Sequence, residues 1–440
     1  MIDILHTADL HFSTKTEKLE EVITTTGCLL AYAGEHPPNL AIIAGDSLDE
    51  ADTPIRIDSE AARAAISFVT RLANICPVLI VRGTRSHDRE SPYLFRHLRT
   101  TFPVYVADKF EQIAYCDERH PGNRTYFWPL GDALANDDAQ ILAAFTLLPS
   151  PDKSGLVSAV GGDSLADTNR IAKESLNDLL AFFGENVKGL DCPHIAVGHG
   201  MITGAQFSGG MTAVGEDLEY SLSDLKLLNA DLQCWGHIHK MQNWGDVFYS
   251  GSPGRLNMGE TEVKGFLIHT LDGRKLVESH FIETPARRFV LVEAAWSDGG
   301  LDGIMAKATE CEAQCAGADV RFRYDIPDEC RHQVNRDELR VRFEAAGARL
   351  VKIEQTILPT VRVRAQGISQ LETLADKIRK WSDVTGVTVP ERVYEIAKTI
   401  EGRDTEELID DAKRQVEAQP LPTFHTEPED EQYILREEAA

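Results

Sequence analysis

Leu40-Ala-Ile-Ile-Ala-Gly-Asp46 is a run of five apolar residues closed by a glycine and an aspartate. So short a run, with no polar alternation, fits a strand buried on both faces, as strands of parallel sheets are. Upstream, Glu17 to Ala33 carries Leu19, Val22, Ile23 and Leu30 at helical spacing, with Gly34 placed to end the helix. Ile2 to His6 precedes that helix as a short strand. Downstream, a helix starting near Asp58-Ser59 carries Ala62, Ile66, Val69 and Leu72, and Pro77 to Val81 is a third strand ending at Arg82-Gly83. This βαβαβ order predicts parallel strands joined by crossover helices. Polar residues cluster just after each strand, where open α/β sheets hold their ligands.

The α/β character continues to about residue 280. Strands are expected at Ile141–Leu148, His194–Val197, Leu232–Trp235, Val247–Ser250 and Gly265–His269, with a surface loop over Pro149–Asp167 and a helix over Asn169–Phe183. Residues 1–280 therefore read as one large domain. Residues 281–366 read as a small α+β module, in which Val320-Arg-Phe-Arg-Tyr-Asp-Ile326 alternates at period two. Arg336–Ala346 is its helix and Leu350–Ile357 a further strand. Residues 367–420 read as helices. There Thr388-Val-Pro-Glu391 and Asp404-Thr-Glu-Glu407 have capping-box spacing, ahead of the stripes Val393, Ile396, Ile400 and Leu408, Ala412, Val416. Residues 421–440 form an acidic tail, expected to be flexible.

The 440 residues hold 70 acidic against 45 basic groups, a formal charge of −25. With 42% hydrophobic and 26% charged residues the chain is an ordinary folding sequence, which excludes global disorder. The charge alone argues against a protein that coats nucleic acid. It is uneven, however: residues 401–440 carry 13 acidic and 4 basic groups, while 281–400 carry 19 and 18. Arg82, Arg85, Arg89, Arg96 and Arg99 gather around His87, either as a phosphate-attracting patch or as a helix face of ion pairs. Arg321, Arg323, Arg362 and Arg364 alternate on expected strands of the small module, where they either line a DNA channel or occupy its solvent face. Eight cysteines without a CxxC pair suit a reducing compartment. Asp3, His6 and Asp9 exclude a signal peptide, and Arg71, Asn74 and Pro77 interrupt the most apolar long window. A cytoplasmic protein without a membrane span is expected.

Five polar islands carry the chemistry: Asp9-Leu-His11, Gly45-Asp46, His87-Asp88, Gly198-His199 and Gly236-His237-Ile238-His239. Each follows a strand-like run. Asp-x-His and His-x-His put both side chains on one side of an extended segment. Imidazoles mixed with carboxylates suit manganese, iron or zinc, and Asp46 is the natural carboxylate to bridge two ions. Two metals would clamp a phosphoryl group and supply a hydroxide at neutral pH. Any one island alone is an ordinary turn or a satisfied polar residue. All five in order are not.

The islands resemble the pattern of the calcineurin-like metallophosphoesterases: DxH, GD, GNHD, GH and GHxH. More narrowly, the chain resembles SbcD-like nuclease subunits of SbcC–SbcD DNA repair complexes. That likeness rests on Ile4-Leu-His-Thr-Ala-Asp-Leu-His11, Trp235-Gly-His-Ile-His-Lys240 and Tyr249-Ser-Gly-Ser-Pro-Gly-Arg-Leu-Asn-Met-Gly-Glu260. It implies an α/β fold: a β-sandwich flanked by helices, a small α+β capping domain and C-terminal helices. It also implies two divalent metal ions, expected to be manganese. Asp9, His11 and His239 would hold one ion, His199 and His237 the other, with Asp46 between. His87 would protonate the leaving oxygen and Asp88 would orient its ring.

One departure stands out. Where the family has Gly-Asn-His-Asp this chain has Gly83-Thr-Arg-Ser-His-Asp88, so Ser86, Thr84 or a water must replace the asparagine. The resemblance further implies DNA as substrate and cleavage as both exonuclease and endonuclease. It implies an SMC-like ATPase bound through residues 388–420, and a homodimer of the nuclease subunit. No Walker A sequence is present, so ATP dependence would come from the partner. A phosphoesterase acting on a small substrate, or a non-catalytic scaffold of the same fold, are the alternatives.

Overall fold

The computed structural model describes every residue except Asp52, 118–125, 151–164, 210–218, 359–366, Gly402 and 419–440. It forms two compact units, Met1–Leu358 and Pro359–Ala440. Arg362, Arg364, most of the expected 149–167 loop, the acidic tail and the side chains of Ala412 and Val416 lie outside the described residues.

Two sheets face each other in the first unit, with helices outside them, as the α/β expectation requires. The first sheet runs Lys275–Glu283, Gly265–Asp272, Ile2–Thr7, Leu40–Ala44, Val78–Val81, Val104–Ala107. Its last four strands are mutually parallel. The second runs Gln242–Trp244, Val247–Tyr249, Leu232–Gly236, His194–His199, Ile141–Leu148, Glu111–Cys116, Phe127–Pro129. Burial on both faces explains why the central strands Leu40–Ala44 and Val78–Val81 are apolar throughout. Leu5, Ile43 and Ile80 face the helices Thr16–Glu35 and Glu60–Ala73, while Ile4, Ile42 and Leu79 meet Phe145, Val197 and Cys234 of the second sheet. Ser59 caps the second of those helices through a hydrogen bond from Ala62 N. The helix Leu165–Asn186 covers the second sheet with Leu176, Leu180 and Phe183.

A third, all-parallel sheet of Arg288–Ala294, Ala318–Pro327 and Leu350–Leu358 carries the helices Gly300–Glu312 and Arg336–Ala345. Val320, Phe322, Tyr324 and Ile326 form its core with Cys311, Cys315 and Phe343. Arg321 and Arg323 lie on the opposite, solvent-facing side and pair with Glu354 and Glu293 there. Buried Glu21 accepts from Arg255 N and Arg287 N, and Arg287 in turn reaches Asp319 of this sheet.

The second unit contains the helices Leu374–Thr385, Glu391–Ile400 and Thr405–Ala418. The capping box expected at Thr388–Glu391 does not form: Pro390 is the N-cap and makes no side-chain cap. Tyr394 and Ala397 are buried there, whereas Val393, Ile396 and Ile400 stay exposed. No helix among the described residues is long and apolar enough to cross a membrane.

Candidate metal centre

All five islands sit at strand C-termini along one edge of the paired sheets, and two of these loops are stitched together. Asp9 N donates to Gly45 O, His11 N to Asp46 O and Phe12 N to Ser47 O. The turns are strained. Asp9, His11, Asp46 and His237 have φ of 52°, 53°, 47° and 106°, in the left-handed region that non-glycine residues avoid. The expectation that Asp-x-His and His-x-His act as extended pairs therefore fails. His237 and His239 face different groups, because the backbone turns between them. Glycine is obligatory beside them: a Cβ on Gly45 would lie 2.1 Å from His199 Nδ1, and one on Gly83 2.1 Å from Asp46 Oδ1.

Two clusters result. Asp9, His11 and His239 offer ligand atoms all within 4.8 Å of one another, and so do Asp46, His199 and His237. Asp46 Oδ2 lies 3.3 Å from His199 Nε2 and 3.8 Å from His11 Nε2, so it faces both. The partners fix two tautomers. His199 Nδ1 donates to Ala44 O (2.8 Å) and His239 Nδ1 to Glu260 Oε1 (3.0 Å), which turns both Nε2 atoms inward. His239 Nε2 then meets His11 Nε2 at 3.2 Å. His199 Nε2 is buried with no hydrogen-bond partner among the described residues. Burial holds the His11 ring well below the usual histidine range, and burial followed by the nearby His199 ring brings His237 to about 4. Those two neutral rings are the form a metal takes, whereas at His199 burial is outweighed by Asp46 and then Asp9, which raise the ring to about 9. Burial would raise Asp46, but His199 and His11 outweigh it and hold the carboxyl well below its ordinary value. An inward nitrogen whose nearest polar neighbour is the Asp46 carboxylate at 3.3 Å lies where a cation would be held between them, and this donor set fits two divalent ions.

His87 lies beside the first cluster, its ring edge-on to His11 at 4.6 Å. Its orienting partner is not Asp88. Asp49 Oδ1 accepts from His87 Nδ1 at 3.1 Å, and Lys18 holds the other oxygen at 3.0 Å. Although burial favours the neutral ring, Asp49 and the neighbouring Asp46 outweigh it and raise His87 above the ordinary value. Asp88 is fully buried and accepts from Gly83 N, Ser47 N and Leu48 N, so it pins one loop to the other. Burial, then Asp46, pushes it up to about 7. Asp49 was the residue missed; its signal was the spacing Gly45-Asp-Ser-Leu-Asp49. Of the candidates for the missing asparagine, Ser86 is exposed. Thr84 instead donates to Asp46 Oδ1 from both N (2.7 Å) and Oγ1 (2.9 Å). Arg85, Arg89, Arg96 and Arg99 are all exposed around this loop, and Arg96 pairs with Asp108 and Val106 O.

No curated protein sequence matches the chain at a significant level. One solved structure resembles it over 63% of this chain and 98% of its own, at 12% identity and a TM-score of 0.29, too slight a likeness to bear on function. The family model described as calcineurin-like phosphoesterase matches residues 2–241, more than half of the chain and all six candidate ligands. The chain therefore belongs to the calcineurin-like phosphoesterases, metal-dependent hydrolases of phosphoesters.

Proposed function

We propose that the phosphoester cleaved is the DNA backbone, and that the chain is an SbcD-type nuclease subunit working with manganese and an SMC-like ATPase. The observation that carries this reading is the placement of His87 on the ligand clusters, oriented by Asp49 and flanked by exposed Arg85 and Arg89. Asp9, His11 and His239 would hold one ion and His199 and His237 the other, with Asp46 shared. When bound, the ions would supply Lewis acidity to the phosphoryl oxygens. The protein's own part is positional. With Nδ1 tied to Asp49, His87 presents its Nε2 proton to the leaving oxygen, and the raised affinity of the ring for that proton keeps it available near neutrality. Exposed arginines attract the flanking phosphates. The exposed stripe Val393, Ile396 and Ile400 supports helix-in-groove binding of the ATPase.

A small phosphoester is the second reading. The answered charges of Arg96, Arg321 and Arg323 favour it, because they shrink the basic surface.

Linear duplex and single-stranded DNA incubated with manganese test the choice. Wild type is expected to cut both, and His87→Ala to lose cutting while keeping its metal. Cleavage of bis-p-nitrophenyl phosphate without DNA would hand the site to small substrates. Failure to cut either, with no metal bound, would make it a scaffold. Deleting residues 388–440 is expected to abolish co-purification with the ATPase and spare DNA cleavage.

A further inference from the structure

The segment Tyr249–Glu260 is not used by the mechanism above, yet it packs directly behind one ligand. Its carboxylate Glu260 is fully buried and surrounded by donors alone. Oε1 accepts from His239 Nδ1 (3.0 Å) and Asn257 Nδ2 (3.1 Å), and Oε2 from Leu256 N (3.1 Å) and Lys264 Nζ (2.8 Å). An ionised carboxylate has about four acceptor sites, and all four are taken. The same segment grips the backbone of His239. Ser252 N donates to His239 O at 3.2 Å, and Lys264 Nζ donates to that oxygen at 2.8 Å and to Ser252 Oγ at 3.1 Å. Lys264 is 2% exposed and Ser252 1%, so none of this is surface chemistry. Gly251, at φ 71°, permits the approach: a Cβ there would lie 2.8 Å from His239 O.

We propose that Glu260, anchored by Lys264, is a positioning residue that locks His239 in the Nδ1–H tautomer and aims its Nε2 into the Asp9–His11–His239 cluster. The segment's function is then to prepare one of two cation sites. The other gets no such side chain, since His199 is oriented by a backbone carbonyl. This rests on the metal-centre reading, but the ring orientation is present without metal. An amide at position 260 cannot reproduce the arrangement, because its NH2 must face one of four donors. Partners of this kind tune metal affinity about 10- to 100-fold.

The test uses the full-length chain, manganese chloride alone and no substrate. Calorimetric titration of wild type is expected to show two equivalents. In Glu260→Gln one equivalent should weaken about 10- to 100-fold and the other stay within about twofold. Lys264 also pairs with Glu262 Oε1 at 2.7 Å, so it keeps a carboxylate partner in the single variant, which should fold. Lys264→Met combined with Glu260→Gln removes the anchor as well and should show the same selective loss. Nitrogen-15 spectra of the metal-free protein, labelled at histidine, should show His239 as Nδ1–H in wild type and as a mixture of tautomers in Glu260→Gln. Two unaltered equivalents in a folded variant, or an unchanged His239 tautomer, would overturn the role of Glu260. Wild type that binds no manganese, yet keeps the Nδ1–H tautomer, would overturn the metal centre instead, and with it the preparation of a cation site.

Discussion

Asp9, His11 and His239 on one side, and Asp46, His199 and His237 on the other, are built from the same two residue types but held by different means. In the first group a side chain reaches in from outside: Glu260 sets the His239 ring and is itself fixed by Lys264. In the second, a main-chain carbonyl sets His199, and the partly exposed His237 ring has no hydrogen bond among the described residues. Asp9 ties the groups together by accepting the His237 N–H on both carboxylate oxygens. Two sites with equal donors thus differ in preorganisation, and a prepared ligand loses less freedom on binding.

The largest effect should come from abolishing the difference altogether. Asp46 is the one carboxylate that faces both groups, so Asp46→Asn is expected to lower hydrolysis of bis-p-nitrophenyl phosphate by at least about a thousandfold and to release both ions. Metal analysis by mass spectrometry after dialysis checks it. If one ion were retained at full affinity, Asp46 would belong to one group only.

His237→Ala sharpens the comparison by touching only the loosely held side. Graded chelation of wild type should remove one equivalent before the other, and the variant should lack the labile one while the tighter one persists. Equal loss of both equivalents would mean that the Glu260 buttress confers no advantage.

Asp49→Asn removes none of the six candidate ligands and acts chiefly on the His87 ring, with the Lys18 contact weakened as well. It should reduce kcat about 10- to 100-fold with KM and metal content little changed, because His87 keeps its place but loses its anionic partner. Asp88→Asn should instead loosen the loop and lower the thermal midpoint, since Asp88 holds three backbone N–H groups and no histidine.

What could be read from the sequence follows the same division. Strand ends and glycine–aspartate steps were legible because apolar runs and turn residues leave local signals, and the six candidate ligands that the resemblance picks out all lie in those islands. The backbone around them was not. Positive φ at Asp9, His11 and His237 accompanies hydrogen bonds between loops distant in sequence, so the strand-period expectation that His237 and His239 point to one side fails. The resemblance had placed them in different groups, as the geometry does. The partner of His87 was misread for a related reason. Asp88 is adjacent in sequence, yet its carboxylate turns to Ser47 and Leu48, while Asp49 arrives from the neighbouring strand end. The sequence left Arg321 and Arg323 open between a DNA channel and the solvent face, and the Glu354 that answers their charge comes from a strand paired at long range.

Acid should probe the strands beneath the two groups. His194 opens the strand that delivers His199, and burial lowers it to about 4. Its Nε2 meets Thr146 Oγ1 at 2.8 Å. On the other side, the strand leading to Asp9 carries His6 against His269, both depressed by burial, His269 to about 3. A histidine lowered in the folded state takes its proton first in the unfolded chain, so stability falls as pH drops below about 6.5, until the folded-state value is reached. For His194 alone the loss between pH 7 and 5.5 is about 1 kcal/mol. His194→Gln should remove that share from the pH dependence of the thermal midpoint and leave the share due to His6 and His269. An unchanged profile would show that His194 is already charged in the fold.

The smallest effect belongs to Thr84, which stands in the loop where the family's asparagine is missing. Its backbone N–H and its hydroxyl both donate to Asp46 Oδ1. Thr84→Val keeps the shape and the N–H bond and removes only the hydroxyl, so the net cost is that of one hydrogen bond to a charged group already served by another donor. That is about 1 kcal/mol or less, a few-fold weakening of the labile equivalent with the tighter one unmoved. If Thr84→Val abolished the labile equivalent outright, the hydroxyl would be a ligand in its own right. The loose group would then be completed by the Thr84 hydroxyl, a donor beyond Asp46, His199 and His237.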